Sequence, residues 1–84
     1  MDFENLLQSA RGHLARKAYR QAHAACLEVL KRDPHSVEAF YLLGILTADH
    51  ANHDKAVELF DRALANNRKH SGALAQKARS LIAL

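Results

Sequence analysis

The sequence predicts an all-α fold of two αα-hairpins closed by a fifth helix. Three observations point there. Apolar residues recur at i, i+3, i+4 and i+7 along five segments, the period of a helix with one buried face. Residue types recur at a spacing of 34: Ala22 with Ala56, Leu30 with Leu64, Ala39 with Ala73, Phe40 with Leu6 and Leu74. No segment shows the β-branched alternation of a strand.

The elements follow in order. Leu6, Ala10, Leu14 and Ala15 suit one face of a first helix, which tolerates Gly12 at a cost of roughly 1 kcal/mol against alanine. Lys17-Ala18 is a turn, and Ala22, Cys26, Val29 and Leu30 stripe a second helix. Asp33-Pro34 stops it, because proline cannot continue a helix but tolerates a first turn, and Ser36 is the expected N-cap of the third. Phe40, Leu43, Gly44 and Thr47 stripe that third helix. Ala51-Asn52-His53-Asp54 turns the chain, and Ala56, Val57, Phe60, Ala63 and Leu64 stripe the fourth. Leu74, Ala78, Leu81 and Ile82 form the stripe of the fifth, with Gln76, Lys77, Arg79 and Ser80 expected outside as the polar face of a cap. The hairpins divide near 3–36 and 37–70, with the closing or partial third-repeat helix at 71–84, all one domain. Small residues (Ala10, Gly44, Ala56) let helices approach, and Phe40 and Phe60 fill the space beside them.

Phe40-x2-Leu43-Gly44, then Ala56-x3-Phe60, with Pro34 closing the repeat before it, resembles the tetratricopeptide repeat. The likeness spans nearly the whole chain and is strongest in the second hairpin. The first has Ser9-Ala10 where Leu-Gly is usual. The second has Thr47 for tyrosine and Arg68 for the closing proline, and Lys77 takes a leucine position in the last helix. The resemblance implies a right-handed stack of hairpins (TPR-like) whose first helices line a concave groove that holds a partner peptide or helix. The groove positions it assigns are Glu4, Leu7, Arg11 and Leu14, then Glu38, Tyr41, Ile45 and Asp49, then Ala75, Arg79 and Ile82. Tyr41 and Ile45 would form an apolar floor flanked by Arg11 and Arg79. Tyrosine and arginine anchor interfaces, and arginine holds carboxylates in bidentate fashion. The expected partner is therefore a protein segment with an apolar side chain next to an acidic group. Carboxylate-clamp members, which hold the extreme C-termini of heat-shock chaperones, use lysine, asparagine and arginine at positions that read Leu7, Arg11, Leu42, Gly72 and Gln76 here, so that mode is not expected.

Arg11-Gly12-His13-Leu14-Ala15, Cys26-Leu27 and Phe40-Tyr41-Leu42-Leu43-Gly44-Ile45-Leu46 are also similar to repeat regions N-terminal to bacterial sulfotransferase-type catalytic domains. Three roles follow from the two likenesses: a peptide-binding adaptor or scaffold, a non-catalytic accessory domain of a larger enzyme, and a self-association module. The apolar ending Leu81-Ile82-Ala83-Leu84 has two readings, a cut inside a longer protein or an end packed back on the second hairpin.

Composition narrows the function classes. A net charge of +3, interspersed with acids and without tryptophan, does not make a nucleic-acid face. The start Met1-Asp2-Phe3-Glu4-Asn5 is acidic rather than a basic-then-apolar leader, and no apolar run reaches membrane-spanning length. One cysteine, Cys26, falls on a core stripe and excludes an internal disulfide framework, so with no leader and no spanning run a soluble, reducing, cytoplasmic setting is expected. The likeness to compact two-hairpin pieces that flank other domains implies a bacterial style. Six histidines invite a metal search; Asp49-His50 with His53-Asp54 is the tightest group, but it straddles a turn and is expected to fan out as exposed turn residues. No nucleophile elbow, phosphate loop or dinucleotide fingerprint occurs. The expectation is no enzyme activity, no cofactor and no metal.

Overall fold

The structure, a computed structural model, describes residues 3–84; Met1 and Asp2, part of the acidic start, lie outside them. Among the described residues there are five helices and no strand: α1 (Phe3–Ala15), α2 (Tyr19–Arg32), α3 (Val37–Asp49), α4 (His53–Asn66) and α5 (Ser71–Ala83). Helix α1 packs on α2, α3 on α4, and α5 on α4, while α2 packs on α3. The odd-numbered helices also touch side by side, α1 with α3 and α3 with α5, whereas α2 and α4 stand apart across α3. The shortest dimension is 18 Å, two helix diameters, so the core is a single layer between two rows of helices.

The 34-residue period is written into the backbone as well as the side chains. Each hairpin turns through one residue with φ of 61°, Lys17 in the first and Ala51 in the second. Ala18 N–H donates to His13 and Lys17 N–H to Leu14; Asn52 N–H donates to Thr47 and Ala51 N–H to Ala48. This is the double closure of a Schellman C-cap with a left-handed residue after the helix. The links between hairpins repeat too. Asp33 and Asn67 each accept a backbone N–H two residues on, from His35 at 3.3 Å and Lys69 at 3.2 Å. Ser36 then caps α3 by accepting from Ala39 N–H at 3.2 Å, as its sequence position predicts. In the equivalent place His70 caps α5, its Nδ1 accepting from Ala73 N–H at 3.0 Å.

The core runs through Ala10, Cys26, Val29, Ala39, Phe40, Leu42, Leu43, Ala56, Leu59, Phe60, Ala63 and Ala73. Helix α3 is buried around most of its circumference, because it has neighbours on four sides. Gly44 has no space for a side chain: a Cβ there would lie 2.4 Å from Phe60 Cε1.

Two expectations for α5 are overturned. Its apolar stripe is not the buried one, since Leu74 and Leu81 are half exposed and Ile82 is 85 % exposed. Ser80, expected outside, is 1 % exposed and Ala73 is fully enclosed. The reason is pairing across α4. Ser80 Oγ meets His53 Nδ1 at 3.2 Å in the interior, and Lys77 reaches Asp61 at 2.7 Å at the surface, so both polar side chains face α4 with partners. Leu81, Ile82 and Leu84 remain solvent-facing and are not folded back on the second hairpin.

Candidate protein-binding face

Contacts between α1 and α3 and between α3 and α5 make one face from the first helix of each hairpin. Two cross-helix features hold it together. Arg11 on α1 pairs with Glu4 on its own helix at 2.5 Å and reaches Glu38 on α3 at 3.3 Å. Tyr41 on α3 lies against α5: its ring centroid is 4.6 Å from that of His70 and 6.2 Å from that of Phe60. A Cβ on Gly72 would stand 2.7 Å from the Tyr41 hydroxyl, so the missing side chain at Gly72 is what admits the tyrosine.

The residues assigned from sequence fall into three groups. Leu7, Leu14, Tyr41 and Ile45 are half-buried and pack on the core, so they form the apolar part of the face and also hold the fold. Arg11, Glu4 and Glu38 are joined in the charge cluster above. The Arg11 guanidinium thus already faces two carboxylates of the chain itself. Asp49, Ala75, Arg79 and Ile82 are exposed. Asp49 accepts a hydrogen bond from the Tyr19 hydroxyl at 3.2 Å, tying the end of α3 to the start of α2. Burial first, then Asp49 as acceptor and as charge, push the Tyr19 phenol above its ordinary value. Arg79 makes no ion pair among the described residues.

The histidines separate by role. His50 is exposed, with Nδ1 at 2.9 Å from the Leu46 carbonyl and its ring 4.5 Å from Tyr19. His53 is not the exposed turn residue expected, since it opens α4, is half-buried and meets Ser80. No three His, Cys, Asp or Glu side chains come together as metal ligands among the described residues. Cys26 is enclosed, and burial, with the Glu38 charge second, pushes its thiol up to about 11, which keeps it protonated and unreactive near neutrality.

A cleft of about 410 Å³ opens on the opposite side, where α2 and α4 stand apart over Phe40, Leu43 and Leu46. Arg62 lies 5.9 Å from the centroid of the Phe40 ring at its edge. Sequence reasoning did not find this cleft, nor the His70 cap, although the placement of His70 one period after Ser36 was a usable signal. No helix among the described residues is long and apolar enough to cross a membrane.

No curated protein and no solved structure gives a significant match to the chain. The family model described as Tetratricopeptide repeat matches residues 13–82, from the end of α1 into the last turn of α5. Repeats of this kind are generally protein–protein interaction modules. With the hairpins, the repeated caps and the Gly44–Phe60 contact in view, the chain belongs to the tetratricopeptide repeat family.

Proposed function

We propose that the chain is a protein-interaction module that takes a partner segment along the face of α1, α3 and α5. The observation that carries this reading is the lateral continuity of that face, tied by Arg11 to Glu38 and by Tyr41 to α5. A rigid row of helices offers a pre-organised surface, which lowers the ordering cost of binding. Leu7, Tyr41 and Ile45 supply the apolar floor. Arg79 takes the role of carboxylate holder, because Arg11 is committed to Glu4 and Glu38. Glu38 and Asp49 border the face and select against a second acidic group near α3. The partner therefore presents one apolar side chain with one carboxylate beside it. The role is binding, with no chemical step.

Panning a displayed library of short random peptides tests this. The wild-type chain is expected to enrich peptides that pair an apolar residue with aspartate or glutamate. Arg79→Glu is expected to shift that enrichment toward basic peptides. Ile45→Lys, checked for folding by circular dichroism, is expected to abolish it. Absence of a consensus, or an identical consensus from all three proteins, overturns the reading.

A further inference from the structure

Among the described residues two helices take a side-chain cap, and only one of those caps can be protonated near neutrality. Helices α2 and α4 begin without one. Ser36 before α3 (φ −61°, ψ 113°) and His70 before α5 (φ −67°, ψ 99°) share one backbone conformation and one hydrogen bond, each accepting from the N–H three residues on. A serine hydroxyl accepts whatever the pH. An imidazole nitrogen accepts only while it is bare.

The partner fixes the tautomer. Ala73 N–H can only donate, so His70 Nδ1 carries no proton and the neutral ring keeps its proton on Nε2. A second proton removes the Nδ1 lone pair, breaks the cap and sets one N–H against another. It also places a positive charge at the positive end of α5. His53 differs: its Nδ1 meets the Ser80 hydroxyl, which can donate or accept, so protonation there need not break the contact.

Each element around His70 leaves that loss uncompensated. From α3 comes Tyr41, whose ring centroid is 4.6 Å from the imidazole; its attraction for a cation is the one opposing effect. Glu38, one turn earlier on α3, is held by Arg11. On α4, Asp61 is held by Lys77 and Glu58 by Arg62. The link supplies Arg68 and Lys69, two exposed cations that disfavour a third charge beside them. The first turn of α5, Ser71-Gly72-Ala73, has no ionisable group. Among the described residues no carboxylate pairs with His70.

We propose that His70 is a proton-operated latch on α5: the start of the helix is held while the imidazole is neutral, and mild acid releases the first turn of α5 while both hairpins stay folded. The stabilising bond is complete where histidine is neutral and is lost as pH falls through about 8 to 5, the range in which such side chains titrate. The latch stands on the cap alone, whatever binds to the row of α1, α3 and α5. Gly72, which admits Tyr41, lies in the released turn, so acid would loosen that row at its α5 end.

Nuclear magnetic resonance on the intact chain at about pH 8 and about pH 5 tests this. Long-range proton–nitrogen correlation of the histidine rings is expected to show His70 at the higher pH as the Nε2–H tautomer with Nδ1 bare. Amide exchange, corrected for its intrinsic pH dependence, is expected to show protection of the Ala73 amide falling about three- to tenfold at the lower pH, the range of a lost N-cap. The Ala39 amide, under Ser36, is expected to keep its protection. His70→Ser is expected to abolish the fall, and His53→Asn to leave it in place. Four results would each overturn the proposal: an Nδ1–H tautomer at the higher pH, unchanged protection of Ala73 in acid, a fall that survives His70→Ser or vanishes in His53→Asn, or Ala39 and Ala73 losing protection together. The last would mean general acid unfolding rather than release of one helix.

Discussion

The Phe60 ring fills the space that a side chain at Gly44 would need, with Cε1, Cδ1 and Cζ all within 2.9 Å of where a Cβ would stand. Both residues belong to the core of the second hairpin, so neither can yield without opening α3 from α4. Gly44→Ala is expected to destabilise the chain by about 1–3 kcal/mol, the usual cost of overpacking. The urea midpoint would fall at unchanged slope. Gly12→Ala is the opposite case. Its Cβ would meet only the flexible tip of Arg16, at 3.4 Å, and helix propensity favours it by about 1 kcal/mol.

Arg68 stands one period after Pro34, in a link with the same hydrogen bonds. The residue before it, Asn67, has φ −152° and ψ 90°, an extended conformation that a following proline favours. Arg68→Pro is expected to raise stability by about 0.5–1 kcal/mol by restricting the unfolded chain. Thermal unfolding measures it, and a lower midpoint would mean that the two links differ where their hydrogen bonds agree.

His70 caps α5 through Nδ1 and also packs on Tyr41. His70→Ala is expected to cost about 1 kcal/mol, the value of a lost N-cap. Hydrogen exchange at the Ala73 amide reads the cap directly and should quicken. His70→Ser is expected to keep that amide protected, as Ser36 does for Ala39, while losing the ring contact.

Cys26 is pushed up from 9.0 to about 11 in the folded chain. The unfolded thiol gives up its proton first, so alkali favours unfolding. The stability tied to the protonated thiol is complete below pH 9 and is lost as pH rises toward 11. Cys26→Ala is expected to flatten that part of the urea-midpoint profile between pH 9 and 11. Native protein is expected to resist thiol reagents at neutral pH and to react on denaturation.

The hairpins were legible because they rest on local signals. Asp33-Pro34-x-Ser36 states a stop, a turn and a cap in four residues, and Ala22, Ala56 and Phe60 carry their spacing openly. Helix α5 was misread because its orientation depends on pairs distant in sequence. Ser80 and Lys77 read as solvent-facing until His53 and Asp61 of α4 are placed beside them. The same holds at the candidate face. The position of Arg11 was recognised, but its occupation by Glu4 and Glu38 needs α1 and α3 brought together. The seating of Tyr41 depends on the absence of a side chain at Gly72, on another helix, which no periodicity announces.

Helix α3 touches all four other helices, while α1 and α5 share no contact. Cooperativity in this chain is therefore routed through α3, the hub of its one core. The terminal helices can open independently at modest cost, but loss of α3 severs the two halves and leaves only the α1–α2 and α4–α5 pairs. Native-state exchange should then rank the amides of α3 slowest and those of α1 and α5 fastest, in the manner of a short one-dimensional array. A ligand that clamps α5 to α3 would slow exchange in α5 and leave α1 free to breathe.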